Sequence, residues 1–310
     1  MERFKNILIV VNDNSSETDN LAFNEGLELI RKNNGRLTLL SVVNPPTSLI
    51  SHYKGIFKKE ELTAMLVSER EKNLVKIAEH SGEHLDIHTK VVVGKDFIEI
   101  VRQVVLGEHD LLIKIANEQN GSFDSRDFHL MRKCPQPVWL LKPKCHIEPK
   151  KVLAAIDLSL EGNQEGKTLN ALIMDLATSL SKWKNNELHV LSCWSLYGEN
   201  SLRHSAFLRI SDDQLANLLT EEQQANRNLQ QALTDKYPGF DIHAHLIKGD
   251  PIEHIPAFAR EQAIDIVVMG TVARSGIPGL LIGNTAETIL QSIDSSVITL
   301  KPNGFKSIIQ

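Results

Sequence analysis

Cysteine is scarce in this chain. Cys134, Cys145 and Cys193 are the three thiols among 310 residues, too few and too scattered for a disulfide framework. Long apolar runs are missing as well. No stretch of about 18 uncharged apolar residues occurs, so no membrane-spanning helix is expected. The opening residues, Met1 to Asn6, lead straight into an apolar strand-like run and carry no small-residue cleavage site of a signal peptide. There is no basic excess: 34 Lys and Arg stand against 39 Asp and Glu, a formal net charge of −5. A nucleic-acid protein usually shows a basic face, so direct nucleic-acid binding is not expected. The Gly-x-x-x-x-Gly-Lys-Ser/Thr signature of a P-loop is absent too. A soluble protein of the reducing cytoplasm is the expectation.

What remains is ordinary globular material, 42% hydrophobic and 24% charged, which excludes wholesale disorder. The length suggests two domains, and an internal repeat locates them. The string DIHTKVVVG at 86–94 matches DIHAHLIKG at 241–249, and the offset of 155 holds without a gap to Asp110 and Asp265. Upstream, NILIVVN at 6–12 parallels KVLAAID at 151–157, and RLTLLS at 36–41 parallels ELHVLS at 187–192. Each half closes on Leu-Lys-Pro, at 141–143 and 300–302. One unit has been used twice, giving domains at 1–145 and 146–310 with a short linker, which predicts close packing of the halves.

Within each unit, short apolar runs alternate with helical periods. Residues 7–11, 37–43, 87–93, 111–115 and 138–141 read as near-continuous apolar strands, the pattern of a parallel sheet covered on both faces. Leu169, Leu172, Ile173, Leu176, Ala177 and Leu180 trace one helix face, as do Phe97, Ile100, Val101, Val104 and Val105. Leu215, Leu218, Leu219, Leu229 and Leu233 mark a longer helix. Asp250 and Pro251 write a helix start, with Glu253 placed for a capping box and Pro256 predicting a kink. The expected fold is α/β: two tandem doubly wound domains, each with a five-stranded parallel sheet.

In such a sheet a ligand binds beyond the carboxyl ends of the strands, at the switch in strand order. In the second unit this selects Ile156 and Asp157, Met269 and Gly270, and the segment from Thr271 to Glu287. Glycines at 270, 276, 279 and 283 permit unusual backbone angles and close approach. Asn284 reads as an N-cap with Glu287 at N3, and Thr285 and Ala286 follow, so the helix start offers N–H groups to a phosphate. A plain glycine-rich loop ending in a capping box explains the same pattern.

These residues carry a resemblance to the universal stress protein family in its tandem two-domain form, over nearly the whole chain. The family's ATP-binding pattern is glycine, two residues, glycine, nine residues, glycine, then serine or threonine. Gly270 and Gly283 stand on its first and third glycines. Ala273 replaces the second, and Asn284, followed by Thr285, replaces the hydroxyl residue. Asp157 matches the family aspartate that faces adenine and ribose, and Gly249-Asp250-Pro251 resembles the family's Gly-x-Pro. The first unit departs further: Asn12 stands for Asp157, and Glu118, Asp124 and Asp127 would repel phosphates.

The resemblance implies a cytoplasmic stress-response protein. It binds a small ligand of nucleotide type, ATP or a similar molecule, through residues 156, 157, 269, 270, 273, 283, 284, 285 and 286, without enzymatic activity. It also implies a contribution to resistance against DNA damage. Alternatives are a slow ATP hydrolase, an interaction adaptor with vestigial pockets, and a binder of a nucleotide-like ligand with an apolar tail. The last would use Ile277, Leu280, Leu281 and Ile282, with Ala206, Phe207, Leu208 and Ile210 as a second wall. No metal is expected, because no Cys or carboxylate completes a ligand set with His243 and His245; a place on the strand surface is expected for these histidines. Arg203, His204 and Arg209 form a small basic cluster, read as a solvated helix face. Single-unit family members dimerise through their last strands. Residues 138–141 and 297–300 are therefore expected to pair within this one chain, and a further homodimer stays open.

Overall fold

The computed structural model describes residues 3–12, 17–45, 58–81, 84–119, 122–142, 150–162, 164–204, 210–271 and 283–309. The first unit runs β1 (Asn6–Val10), α1 (Glu17–Asn33), β2 (Arg36–Val43), α2 (Lys59–Glu79), β3 (Asp86–Val93), α3 (Asp96–Leu106) and β4 (Leu111–Ile115). A small hairpin, β5 (Glu118–Gln119) and β6 (Ser122–Phe123), precedes α4 (Ser125–Lys133) and β7 (Val138–Leu141). The second runs β8 (Lys151–Ile156), a 3-10 helix (Leu158–Gly162), α5 (Gln164–Lys184), β9 (Glu187–Trp194), α6 (Glu199–His204) and α7 (Asp212–Thr234). It ends with β10 (Ile242–Lys248), α8 (Pro251–Glu261), β11 (Ile266–Gly270), α9 (Asn284–Ser292) and β12 (Ser296–Leu300).

Ten strands form one sheet in the order β10-β9-β8-β11-β12-β7-β4-β1-β2-β3. Every pairing in it is parallel except the central one, where β12 meets β7 antiparallel through Val297 opposite Leu140, Ile298 opposite Trp139 and Thr299 opposite Val138. The last strands of the two units thus pair with each other, as the resemblance implies, and neither is left as an edge. Alternation sorts the core into two faces: Ile7 and Ile9 of β1 join the cluster beneath α1 and α5, while Leu8 and Val10 join the cluster beneath α3, α4, α8 and α9. The outermost strands β3 and β10 are half-buried to exposed, so these two are covered less completely than their composition suggests. Val105 of α3, and Leu218 and Leu229 of α7, likewise face solvent.

The duplication extends to backbone detail. Asn34 and Asn185 end the first long helix of each unit at φ 49° and 55°. Glu108 and Ala263 hold the turn before the fourth strand at 51° and 49°. Asp110 accepts the N–H groups of Lys5 and Asn6, and Asp265 those of Lys150 and Lys151, so each carboxylate pins the start of its unit's first strand. The paired Leu-Lys-Pro motifs brace the junction. Lys142 is 2% exposed, and its Nζ donates to the carbonyl of Ile293 just beyond α9 at 2.7 Å. Lys301, 8% exposed, reaches the carbonyl of Met131 in α4. Each ammonium therefore sits at the negative end of the other unit's last helix.

Candidate functional site

Strand order reverses between β8 and β11 in the second unit and between β1 and β4 in the first. The loops beyond these strands form the candidate site and its degenerate twin. In the second unit Ile156 is buried as the last residue of β8. Asp157 follows it, and its Oδ1 accepts from the Ser159 N–H at 3.0 Å and the Ser159 hydroxyl at 2.6 Å. That turn starts the 3-10 helix, and Asn170 of α5 holds it by donating to the Asp157 carbonyl at 3.0 Å and to Glu161 at 2.7 Å. Met269 is buried in β11. Gly270 ends that strand, where an added Cβ would lie 2.7 Å from Leu169 Cδ2, so its small size serves the packing of α5. The unusual backbone angle expected at Gly270 is absent, since its φ is not positive. Thr271 is fully buried, and its carbonyl accepts from the Gly283 N–H at 3.1 Å. This bond ties together the two ends of the 272–282 segment. Ala273, Ile277, Leu280, Leu281 and Ile282 lie outside the described residues, as do Cys145, Ala206, Phe207, Leu208 and Arg209; Ile210 is half-buried before α7.

The start of α9 differs from its sequence reading. The N-cap is Gly283, at φ −61° and ψ 138°, a residue with no side chain to cap the helix. Asn284 and Thr285 are the first two helical residues and are exposed, and Ala286 is 8% exposed. Glu287 is not part of a capping box; it forms an ion pair with Arg132 of α4, across the two units. An opposite charge on the neighbouring unit captures the carboxylate that sequence spacing assigns to the helix start. At α8 the cap is Asp250, accepting from the Ile252 N–H at 2.9 Å, and the helix continues through Pro256. Asp250 and Asp157 both bear on Cys193 at the end of β9, where burial first, then these two carboxylates, push the thiol up to about 11.

Strand register gives the residue-by-residue match between the two sites. Lys114 lies beside Val10 and Met269 beside Ala155, which makes Lys114 and Met269 equivalent. Val138 and Val297 match in the same way, and so do the helices that precede them, so Asp124 answers to Gly283 and Asp127 to Ala286. In the first unit Asp124 caps α4, accepting from the N–H groups of Arg126 at 2.9 Å and Asp127 at 3.0 Å. Asp127 is fully buried; it accepts from Lys114 Nζ at 2.9 Å and from the Asn117 N–H at 2.7 Å. Burial pushes the Asp127 carboxyl up against the opposing pull of Lys114. Two internal carboxylates thus occupy the positive end of α4, whereas a glycine and an alanine stand at the same places on α9.

One cluster escaped sequence analysis. His189 of β9 stacks between His243 and His245 of β10, at ring distances of 5.1 and 5.4 Å, and Phe258 of α8 closes on His245 at 4.6 Å. His189 Nδ1 lies 3.2 Å from His245 Nε2, and burial, then the neighbouring rings, lowers the pKa of His189. The signal lay in strand register: His189 stands opposite His243. Arg203 of the small basic cluster pairs with Glu199 at 2.7 Å. Among the described residues, no group of three or more His, Cys, Asp or Glu is arranged to hold a metal ion, and no helix is long and apolar enough to cross a membrane.

Fold and site together define a duplicated, doubly wound α/β protein whose two switch-point crevices have diverged. The model of the Universal stress protein family matches residues 3–142 and again 149–301, and the chain belongs to that family. Curated relatives called universal stress protein E match it over its full length: one from Photorhabdus laumondii at 27% identity, covering 99% of that protein, and one from Escherichia coli K12 at 26%, covering 98%. A crystal structure of a functionally unknown protein from Pseudomonas aeruginosa PAO1 superposes with a TM-score of 0.71 at 22% identity, covering 98% of this chain and 95% of that one. A universal stress protein from Archaeoglobus fulgidus gives 0.63 at 17% identity, covering 95% and 98%.

Proposed function

We propose that this universal stress protein acts by binding a nucleotide-type small ligand at the second unit's switch point, and that it catalyses no reaction there. The observation behind this reading is the contrast between the two helix starts. The first four N–H groups of a helix have no partner within it and carry the positive end of its dipole. On α4 the Asp124 carboxylate takes this role, accepting from the N–H groups of Arg126 and Asp127, and Asp127 adds a second acid in the same turn. On α9 the N-cap is a glycine, and among the described residues no side chain does so, which leaves its first turn to a phosphate. In the proposed site Asn284 and Thr285 offer donors to the phosphates, and Asp157 faces base and ribose. The turn that Asp157 caps with Ser159 would position its carboxylate for that role. Among the described residues, no general base or metal-holding pair accompanies them, which disfavours hydrolysis. By its family, the chain's task is in the stress response, with protection against DNA damage as the specific form we propose.

Calorimetry with ATP tests the reading. Wild-type chain should bind, and Gly283→Asp, which installs the first unit's carboxylate, should weaken binding about tenfold or more by placing a negative charge at the phosphate position. Ala273→Gly combined with Asn284→Ser should tighten it. Absence of binding in every variant, or binding indifferent to Gly283→Asp, would leave the adaptor reading in its place. Phosphate release lost with Asp157→Ala would favour the hydrolase.

A further inference from the structure

The second unit's ring stack has no counterpart in the first. Register equates His189 with Thr38, His243 with His88 and His245 with Lys90, and α8 equates Phe258 with Gln103. Where rings fill the second unit, the first has a groove of about 380 Å³ on the α3 side of β2 and β3, lined by Arg36, Thr38, Lys90, Gln103 and His109 among others. It lies away from the carboxyl-end crevices, near the start of β2 and the end of α3.

Three features of this groove point to a ligand. Arg36 and Lys90 line it, and among the described residues neither forms an ion pair. Gln103 is 7% exposed, and among the described residues its side-chain amide makes no hydrogen bond. The amide opens onto the groove it lines, where a ligand can hydrogen-bond it. The carbonyls at the end of α3, which would repel an anion, are already occupied. Those of Gln103, Val104 and Val105 accept from Gly107, His109 and Glu108. Those of Gly107 and Glu108 accept from Asn6 Nδ2 at 2.7 and 2.9 Å. His109 is turned to Asn6 Oδ1 at 2.9 Å. Burial, then the charges of Arg36 and Lys90, hold it neutral, with its pKa lowered to about 4. Of the acids on this side, Asp86 is held by His88 at 2.8 Å, Asp110 accepts the N–H groups of Lys5 and Asn6 and feels the charge of Arg36, and Glu108 stands at the rim.

We infer that this groove is a second ligand site, specific to the first unit, for a small polar molecule bearing an oxyanion. Arg36 and Lys90 provide the charge, the Arg36 fork matching a carboxylate or phosphate, and the Gln103 amide and Thr38 hydroxyl fix orientation. Inorganic phosphate and succinate are suitable probes, because they separate a phosphate ligand from a carboxylate one. Calorimetry on the full chain should show one or both binding. The double variant Arg36→Gln/Lys90→Gln should weaken that binding about tenfold or more, and Gly283→Asp should leave it unchanged. During titration the His109 imidazole resonances should move. No binding of either probe at about 10 mM, weaker than the millimolar range, overturns the inference. So does binding untouched by the double variant. Loss with Gly283→Asp alone would place the anion at α9 and also overturn it, while the nucleotide reading would stand.

Discussion

The buried Lys114–Asp127 pair can be exchanged for the residues of its own twin. Lys114 is 1% exposed and Asp127 0%, at 2.9 Å. Asp127→Ala alone strands an ammonium in the core and removes the acceptor of the Asn117 N–H; breaking a buried pair this way costs about 3–5 kcal/mol. Lys114→Met alone strands the carboxylate, but burial already raises that pKa, so protonation relieves part of a similar cost. A carboxyl with a higher pKa folded than unfolded holds its proton more tightly in the fold. The Lys114→Met variant should therefore recover stability as pH falls through that raised pKa and lose it as pH rises. The double variant recreates the Met269 and Ala286 arrangement, both buried in the second unit. Its cost should reduce to the unpaired Asn117 N–H, about 1–3 kcal/mol. The double-mutant cycle should then give a coupling of at least about 2 kcal/mol. Urea unfolding followed by the fluorescence of Trp139, which pairs with Ile113 in the adjacent strand, supplies the stabilities, and hydrogen exchange of the β4 amides gives the local readout. Additive costs, within about 0.5 kcal/mol, would refute the view that the two charges act as one internal plug.

Other perturbations test separate parts of the molecule. His109 has a folded pKa lowered to about 4, below its ordinary value, so it contributes stability above pH ~6.5 that is lost as pH falls toward 4; His109→Gln should flatten this part of the urea-derived stability profile, and an unchanged slope would contradict it. Cys134 is fully buried, with its thiol pushed up to about 12; it should resist iodoacetamide in the native chain and react on unfolding, as peptide mass mapping would show, and prompt native labelling would be incompatible with that burial. Lys301→Met removes the donors to Met131 and Thr271 and should destabilise by about 1–3 kcal/mol; exchange protection should fall in both β7 and β12, and loss confined to one unit would show that the lysine does not brace the junction.

The sheet was legible because its strands are written as apolar runs that recur at a fixed offset. The pairing of 138–141 with 297–300 came from the family resemblance, which implies that last strands pair across a dimer, and the duplication brings both into one chain. The site was less legible. Spacing placed Glu287 in a capping box, but nothing local announces that Arg132, 155 residues upstream, takes its carboxylate across the junction. Spacing gave Gly270 a ligand role but could not show that Leu169 of α5 packs into the space a Cβ would fill. The histidine stack and the Arg36–Lys90 groove require two adjacent strands to be in register. Sequence shows which residues alternate on one strand, while the neighbour opposite is set by topology.

The reciprocal fates of the two crevices suggest how a duplicated ligand site settles. A helix start that loses its ligand keeps unsatisfied N–H groups and a positive potential, and any acid appearing at the N-cap or N3 is then stabilising. The first unit carries both, Asp124 and Asp127, with Lys114 balancing the buried charge. A start that must accept an anion cannot keep such acids, and Gly283 and Ala286 fit that demand at the expense of helix stability. Gly283→Asp makes the conflict measurable. The glycine already has an extended ψ of 138°, so aspartate fits without backbone strain and should raise thermal stability by a few tenths to ~1 kcal/mol while it weakens ATP binding. Greater stability with undiminished affinity would mean that the α9 start does not hold the anion. A loss of stability would mean that the 272–282 segment already satisfies these N–H groups, and that the second crevice is as closed as the first.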